Sequence, residues 1–149
     1  MATSYNNLGV AYKNKGAYDK AIEYYEKSLL IRLAALGDAH PSVAASYNNL
    51  GSAYSNKGAY NKAIEYYEKS LRIKIVTLGD RHPDVGTSYM NLGIAYYSKG
   101  EYDKAIEYYE KSLAIRLASL GDAHPDVGAS YNNLGIAYDS KGEYDKAFE

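Results

Sequence analysis

The chain has no cysteine and no tryptophan, and only one phenylalanine and three prolines. Without cysteine there is no disulfide framework, no thiolate nucleophile and no sulfur-ligated metal, so an oxidising compartment is not indicated and a cytoplasmic setting is expected. Neither charge sign is in excess: 17 Lys and Arg stand against 18 Asp and Glu, a formal net charge of −1. The signs alternate locally, and the basic stripe that would offset nucleic-acid phosphate is missing. Long apolar runs are missing too. The start, Met1 to Gly9, lacks a basic region followed by an apolar core, and the most apolar stretch, Ser28 to Leu36, is broken by Arg32. Neither a signal peptide nor a membrane span is expected.

What the chain does contain is repetition. The stretch Ser46 to Leu71 recurs almost unchanged from Ser4, Ser88 and Ser130, and its marker tyrosines, Tyr5, Tyr47, Tyr89 and Tyr131, give a period of 47 − 5 = 42 residues. A fixed period of about 20 to 50 residues marks an array of supersecondary modules, each burying its apolar face on its neighbours. The expected organisation is a single repeat domain over 1–149, with units 4–45, 46–87, 88–129 and an incomplete 130–149. The 19 tyrosines fall at fixed unit positions, as packing residues with hydroxyls that reach water at the edge of each layer.

Within a unit, Tyr47, Leu50, Gly51 and Tyr54 are spaced by three and four, the signature of one helix stripe. This helix A is expected from Pro41, suited to a first helical turn, to Lys57, with Gly58 supplying a left-handed end. Asp84 and Asp126 place negative charge at the same N-terminus in later units, where the helix dipole favours it. A helix B follows from about Tyr60, with Ala63, Ile64, Tyr67, Leu71 and Leu78 inward, and Gly79 is expected to close it as Gly58 closes helix A. The short loop Gly79 to His82 makes consecutive helices antiparallel neighbours. Gly51 is placed against helix B, where a side chain would force the backbones apart, and Ser46 and Ala53 on the flank toward the next helix A. The fourth unit retains only Glu143 to Glu149 of its helix B. The fold class is therefore all-α, a solenoid of antiparallel helix pairs with seven helices and a C-terminal stub.

The line Tyr47-x-x-Leu50-Gly51-x-x-Tyr54, with Tyr60, Ala63, Tyr67 and the small Ser70, resembles the tetratricopeptide repeat. That repeat has about 34 residues, so the present unit is about eight longer, with the extra residues around Leu36 to Ala44. The Leu-Gly-x-x-His-Pro-x-Val junction followed by Tyr-Asn-Asn-Leu is similar to the long variant in kinesin light chains. The resemblance implies a right-handed superhelix that acts as a non-catalytic scaffold, binding an extended peptide or a partner helix of another protein in a concave groove whose wall is lined by the A helices. Carried over by position, that wall comprises Asn6, Asn7, Val10 and Lys13 in the first unit and Asn48, Asn49, Ser52 and Ser55 in the second. The third gives Met90, Asn91, Ile94 and Tyr97, and the fourth Asn132, Asn133, Ile136 and Asp139. Lys13 is the only basic residue among them, so the basic clamps of chaperone-binding members and of kinesin light chains are not carried over. Asn7, Asn49, Asn91 and Asn133 form a ladder with two readings: amide clamps for an extended ligand backbone, or groups bonded across their own helix turns or to water.

Other candidates carry less. His40, His82 and His124 each precede a proline, one per layer, and four metal ligands do not converge from such a row; a role in helix-start packing is expected, with no metal and no other cofactor. The pairs Tyr24-Tyr25, Tyr66-Tyr67 and Tyr108-Tyr109 could stack bases, but one of each is core by periodicity and Glu23, Glu65 and Glu107 flank them with negative charge. No nucleic-acid or membrane partner is expected. Catalysis needs an asymmetric meeting of groups, whereas here every His recurs in each layer and no phosphate-binding glycine loop is present. The rival to a ligand-binding scaffold is a structural array, fragment-like or consensus-like, with weak end-to-end self-association where Leu134, Ile136 and Tyr138 lose part of their cover.

Overall fold

Seven α-helices follow one another in the computed structural model, which describes the backbone of residues 1–147 and the side chains of residues 1–145. They are α1 (Ala2–Asn14), α2 (Tyr18–Leu36), α3 (Pro41–Lys57), α4 (Tyr60–Leu78), α5 (Pro83–Lys99), α6 (Tyr102–Leu120) and α7 (Pro125–Ala147). The odd-numbered helices are the A type and the even-numbered the B type. Contacts gather them into two compact units, Met1–Thr77 with α1 to α4 and Leu78–Glu149 with α5 to α7.

Helix starts follow from the His-Pro pair. The proline occupies the first turn, where its missing N–H leaves nothing unsatisfied, and the histidine caps the helix with its own ring. The Nδ1 of His40 accepts from the Ser42 N–H at 3.0 Å, that of His82 from Asp84 at 3.0 Å and that of His124 from Asp126 at 3.1 Å. Helix ends are of two kinds. Gly58 and Gly100 close α3 and α5 in the left-handed region, φ 89° and ψ 6°, with the Ala59 N–H returning to the Tyr54 carbonyl at 2.9 Å. Two of the B helices, α2 and α6, end differently from the closure expected at Gly79. Gly37 has φ 82° and ψ 176°, and Gly121 φ 81° and ψ 166°, a region open essentially to glycine alone. There the chain leaves the helix extended, which carries it to the next His-Pro start.

The A and B helices of a pair close on a glycine. A Cβ on Gly9, Gly51 or Gly93 would lie 2.5, 2.6 or 2.6 Å from the ring of Tyr25, Tyr67 or Tyr109, so each ring packs directly against bare backbone. The three rings are 1%, 6% and 3% exposed. The preceding tyrosine of each pair has another place. Tyr24 stacks between Tyr5 and Tyr12 with centroids 6.0 and 5.5 Å away, and Tyr66 and Tyr108 are held between Tyr47 and Tyr54 and between Tyr89 and Tyr96 in the same way. Lys27, Lys69 and Lys111 each place an ammonium 5.3 to 5.7 Å from two of these rings, each adding about 0.5–1 kcal/mol at such an exposed site.

Polar bonds fix the helix pairs in register. Ser28 and Ser70, on B helices, donate to the Ala2 and Ala44 carbonyls of their A partners, each at 2.9 Å. Arg32 of α2 reaches the start of α3, donating to the Ser42 carbonyl at 3.1 Å and to the Ser46 hydroxyl at 2.7 Å; Arg116 does the same to Asp126 and Ser130 of α7. Ser46 therefore faces the preceding B helix and not, as its flank position suggested, the next A helix.

The end of the chain corrects a second expectation. Glu143 to Ala147 do not begin a separate helix B but continue α7 through Gly142. Seven residues cannot offset the nucleation of a new helix, whereas extending an existing one adds a hydrogen bond per residue against a penalty of about 1 kcal/mol for the glycine. Leu134 is also not on a bare face: it is 8% exposed and packs with Ala105, Ile106 and Tyr109, while Ile136 and Tyr138 are 45% and 52% exposed.

Two experiments test this packing. Gly93→Leu should cost at least about 1–3 kcal/mol, read as a lower urea midpoint, because Tyr109 cannot yield without separating α5 from α6; an unchanged midpoint would contradict the ring-on-backbone contact. The second is a pair. Ser52 stands beside the Tyr67 hydroxyl and favours its ionised form against the effect of burial, whereas the Tyr25 hydroxyl is buried with no hydrogen-bond partner among the described residues, Val10 standing where Ser52 stands. Tyr67→Phe should destabilise by about 1 kcal/mol while Tyr25→Phe is neutral or stabilising; equal effects would sink the difference.

Candidate functional site

Each unit presents a strip of wall made from its two A helices, α1 with α3 and α5 with α7. Side chains that face away from the glycine stripe cannot enter the A–B core, so they line the surface between neighbouring A helices. Within each unit, hydrogen bonds from one A helix to the next tie the strip together. In the first unit the Asn49 amide N–H donates to the Asn6 carbonyl oxygen at 2.9 Å, and the Lys13 ammonium donates to Ser52 at 3.3 Å. In the second unit the Asn133 amide donates to the Met90 sulfur at 3.2 Å, and the hydroxyls of Tyr97 and Ser140 meet at 2.7 Å.

These bonds decide how two of the ladder amides are used. Asn49 and Asn133 each bond to the adjacent A helix, using one N–H and keeping the amide oxygen as an acceptor. The sequence reading missed this cross-helix role, although the recurrence of Asn-Asn at nearly every helix A was its signal. Asn7, Val10, Ile94, Asn132, Ile136 and Asp139 are exposed, and Asn6, Lys13, Asn48, Asn49, Ser52, Ser55, Asn91, Tyr97 and Asn133 are half-buried. Met90 is different. At 7% exposed it packs with Leu134 and Ala137, its flexible thioether filling the gap between α5 and α7, and it belongs to the core and not to the wall.

Three aliphatic wall residues stay open to solvent: Val10 is 39%, Ile94 42% and Ile136 45% exposed. Val10 and Ile94 each have a neighbouring A helix within their own unit, so their exposure comes from the direction they face. Beneath the wall the B-helix tyrosines approach. Burial, and then the Tyr97 hydroxyl beside it, pushes the Tyr109 hydroxyl up to about 12, so it stays protonated as a hydrogen-bonding group at neutral pH. Burial raises Tyr67 as well, with Ser52 acting the other way. Such an arrangement can pack and hydrogen-bond. Among the described residues no group of three or more His, Cys, Asp or Glu is placed to hold a metal, and no helix is long and apolar enough to cross a membrane. An open hollow of about 360 Å³, crossed by the 2.7 Å ion pair of Lys57 with Asp19, is lined by Gly16 to Lys20 and Lys57 and includes no wall residue.

Comparison with known proteins agrees with this geometry. The tetratricopeptide repeat model matches residues 1–75, 56–118 and 84–149. None of the curated protein sequences matches the chain. Among solved structures, BtubC (BKLC) from P. vanneervenii is 32% identical with a TM-score of 0.87, over 98% of this chain and 58% of that one. The present chain thus spans little more than half the length of that relative. A Podosopora anserina kinesin light chain candidate with nearly identical TPR-like repeats is 32% identical, with a TM-score of 0.84 over 97% of this chain and 69% of that one. The Sgt2 TPR domain from Aspergillus fumigatus, at 24% identity and a TM-score of 0.69 over 99% of this chain and 83% of that one, shares the fold. With seven helices in sequential pairs, a glycine-and-tyrosine closure in three of them and a matching family model along its length, the chain belongs to the tetratricopeptide repeat family, a family of protein-interaction modules that are typically non-catalytic.

Proposed function

We propose that the A-helix strips of both units bind an extended segment of another protein, without catalysis. The observation that carries this reading is the pair of cross-helix amide bonds, Asn49 to Asn6 and Asn133 to Met90. They hold each asparagine in one rotamer, so its remaining acceptor is offered to a ligand backbone with its conformational entropy already lost. Adjacent A helices lie about 10 Å apart and an extended chain advances about 3.3 Å per residue, so each strip reads about three ligand residues per helix. The solved kinesin light chain candidate and BtubC lend fold-level support only, since function lives in sites grafted on a fold.

Weak end-to-end association has less behind it. Leu8 on α1 is 42% exposed where Leu50 and Leu92 are fully buried, and Tyr131 and Tyr138 on α7 are 54% and 52% exposed. Both surfaces belong to A helices, and the face of Leu50, equivalent to that of Leu8, is covered by α2. Stacking two such surfaces pairs like with like and leaves each without its complement.

The wall is dominated by neutral residues, so screening has little to act on. For a peptide selected to bind this chain, affinity should change less than tenfold between low and high salt. Asn49→Ala and Asn133→Ala should each weaken it by about fivefold to tenfold, the value of one hydrogen bond to the ligand, and each also loses about 1 kcal/mol of stability with its cross-helix bond while remaining folded. Isothermal titration checks both, and full affinity in the double variant would contradict the proposal.

A further inference from the structure

The wall strips of the two units are not equivalent, and the second has a combination that the first lacks. Ile94 and Ile136 occupy the same position of neighbouring A helices and are 42% and 45% exposed. They lie between two cross-helix bonds, Met90 with Asn133 on one side and Tyr97 with Ser140 on the other, which hold α5 and α7 side by side at this level. Three residues beyond Ile136 is Asp139, exposed and without an ion pair among the described residues.

Within one turn on its own helix face that carboxylate meets no cation. The residues three and four away are Gly135, Ile136, Gly142 and Glu143, and Glu143 adds a second negative charge. The nearest lysine along the chain, Lys141, is held by Asp103 at 2.7 Å. In the first unit the charge at the matching position is reversed and already used: Lys13 donates to Ser52. A half-exposed aliphatic pair followed three residues later, about 4.5 Å along the axis, by an unpaired carboxylate asks for a side chain that is apolar along its stem and cationic at its tip.

Building on the wall as a peptide-binding surface, we infer that the second unit's strip is a subsite for an arginine of an extended peptide. Its methylenes lie on Ile94 and Ile136, and its guanidinium donates in a fork to the Asp139 carboxylate beside the Tyr97 ring. Arginine fits better than lysine because its planar fork matches a carboxylate with two parallel bonds and is more weakly hydrated than an ammonium. An acidic ligand residue at this register is rejected by Asp139 and Glu143 together.

A random 12-residue peptide library selected on the full chain tests this, with the selection repeated on Asp139→Asn and each binder then remade with arginine replaced by citrulline, its neutral isostere. Arginine should be enriched on the native chain and not on Asp139→Asn, citrulline should weaken native binding by about fivefold or more, and Ile136→Ser should weaken the arginine and citrulline peptides alike. The substituted positions are exposed or half-buried, so the thermal midpoints of the variants should match the native chain and exclude misfolding as the cause. Binders that lack arginine enrichment, or that keep full affinity as citrulline peptides, while still losing affinity in Asn49→Ala, would overturn the arginine subsite and leave the groove standing. A library that yields no binder to the native chain would overturn both.

Discussion

The wall depends on how closely an A helix approaches its B helix, and that distance is set where a tyrosine ring lies on a glycine. With no Cβ at Gly9, Gly51 and Gly93, the rings of Tyr25, Tyr67 and Tyr109 reach the A backbone itself. The contact fixes the rotation of helix A as well as its distance, since only one face carries the glycine. Once that face is inward, Asn49, Ser52 and their counterparts have no choice but to point the other way. The exposed strip is thus the geometric remainder of a packing decision, and its chemistry varies while the glycine contact is kept.

That freedom explains the pattern along the A helices. The glycine stripe, the stacked tyrosine triplets and the histidine caps repeat in every unit that contains the elements to make them. The wall position that reads Val10, Ser52, Ile94 and Ile136 does not. Variation there has one cost inside the unit: where Val10 replaces a hydroxyl, the Tyr25 hydroxyl below is left without a partner. At this one position the wall residue and the core below it are linked through a single hydroxyl.

Much of the fold is legible in the sequence because the repeat states it three times. The Gly51 contact, the start at Pro41 and the end at Gly58 each follow from a residue with one physical use. The misses have physical reasons too. Met90 occupies a wall position by count, but an unbranched thioether can fold back between helices where an asparagine would not. For Ser46, spacing gives the flank and not its occupant; only the reach of Arg32 shows that α2 fills the place expected of the next helix A. Gly37 and Gly58 read alike as letters, and their different ψ angles arise from the segment that comes next, a His-Pro start in one case and an immediate second helix in the other. Gly142 matches Gly58 in sequence yet lies inside α7, because a glycine ends a helix only when the next segment has something to pack against. The amide ladder is visible in the sequence, but the bonds from Asn49 to Asn6 and from Asn133 to Met90 depend on the stagger of adjacent A helices, which spacing within one helix does not contain.

The central claim is that ligand contact falls on the A helices and spares the exposed faces of the B helices. Backbone amide shifts of the isotope-labelled chain, followed during titration with a selected peptide, test it most directly. Shifts should concentrate at wall residues such as Asn7, Asn49, Ile94 and Asn133, and leave Leu30, Arg72 and Ala114, exposed on the B helices, unmoved. Perturbation confined to those B-helix residues, with the asparagine amides still, would contradict the account.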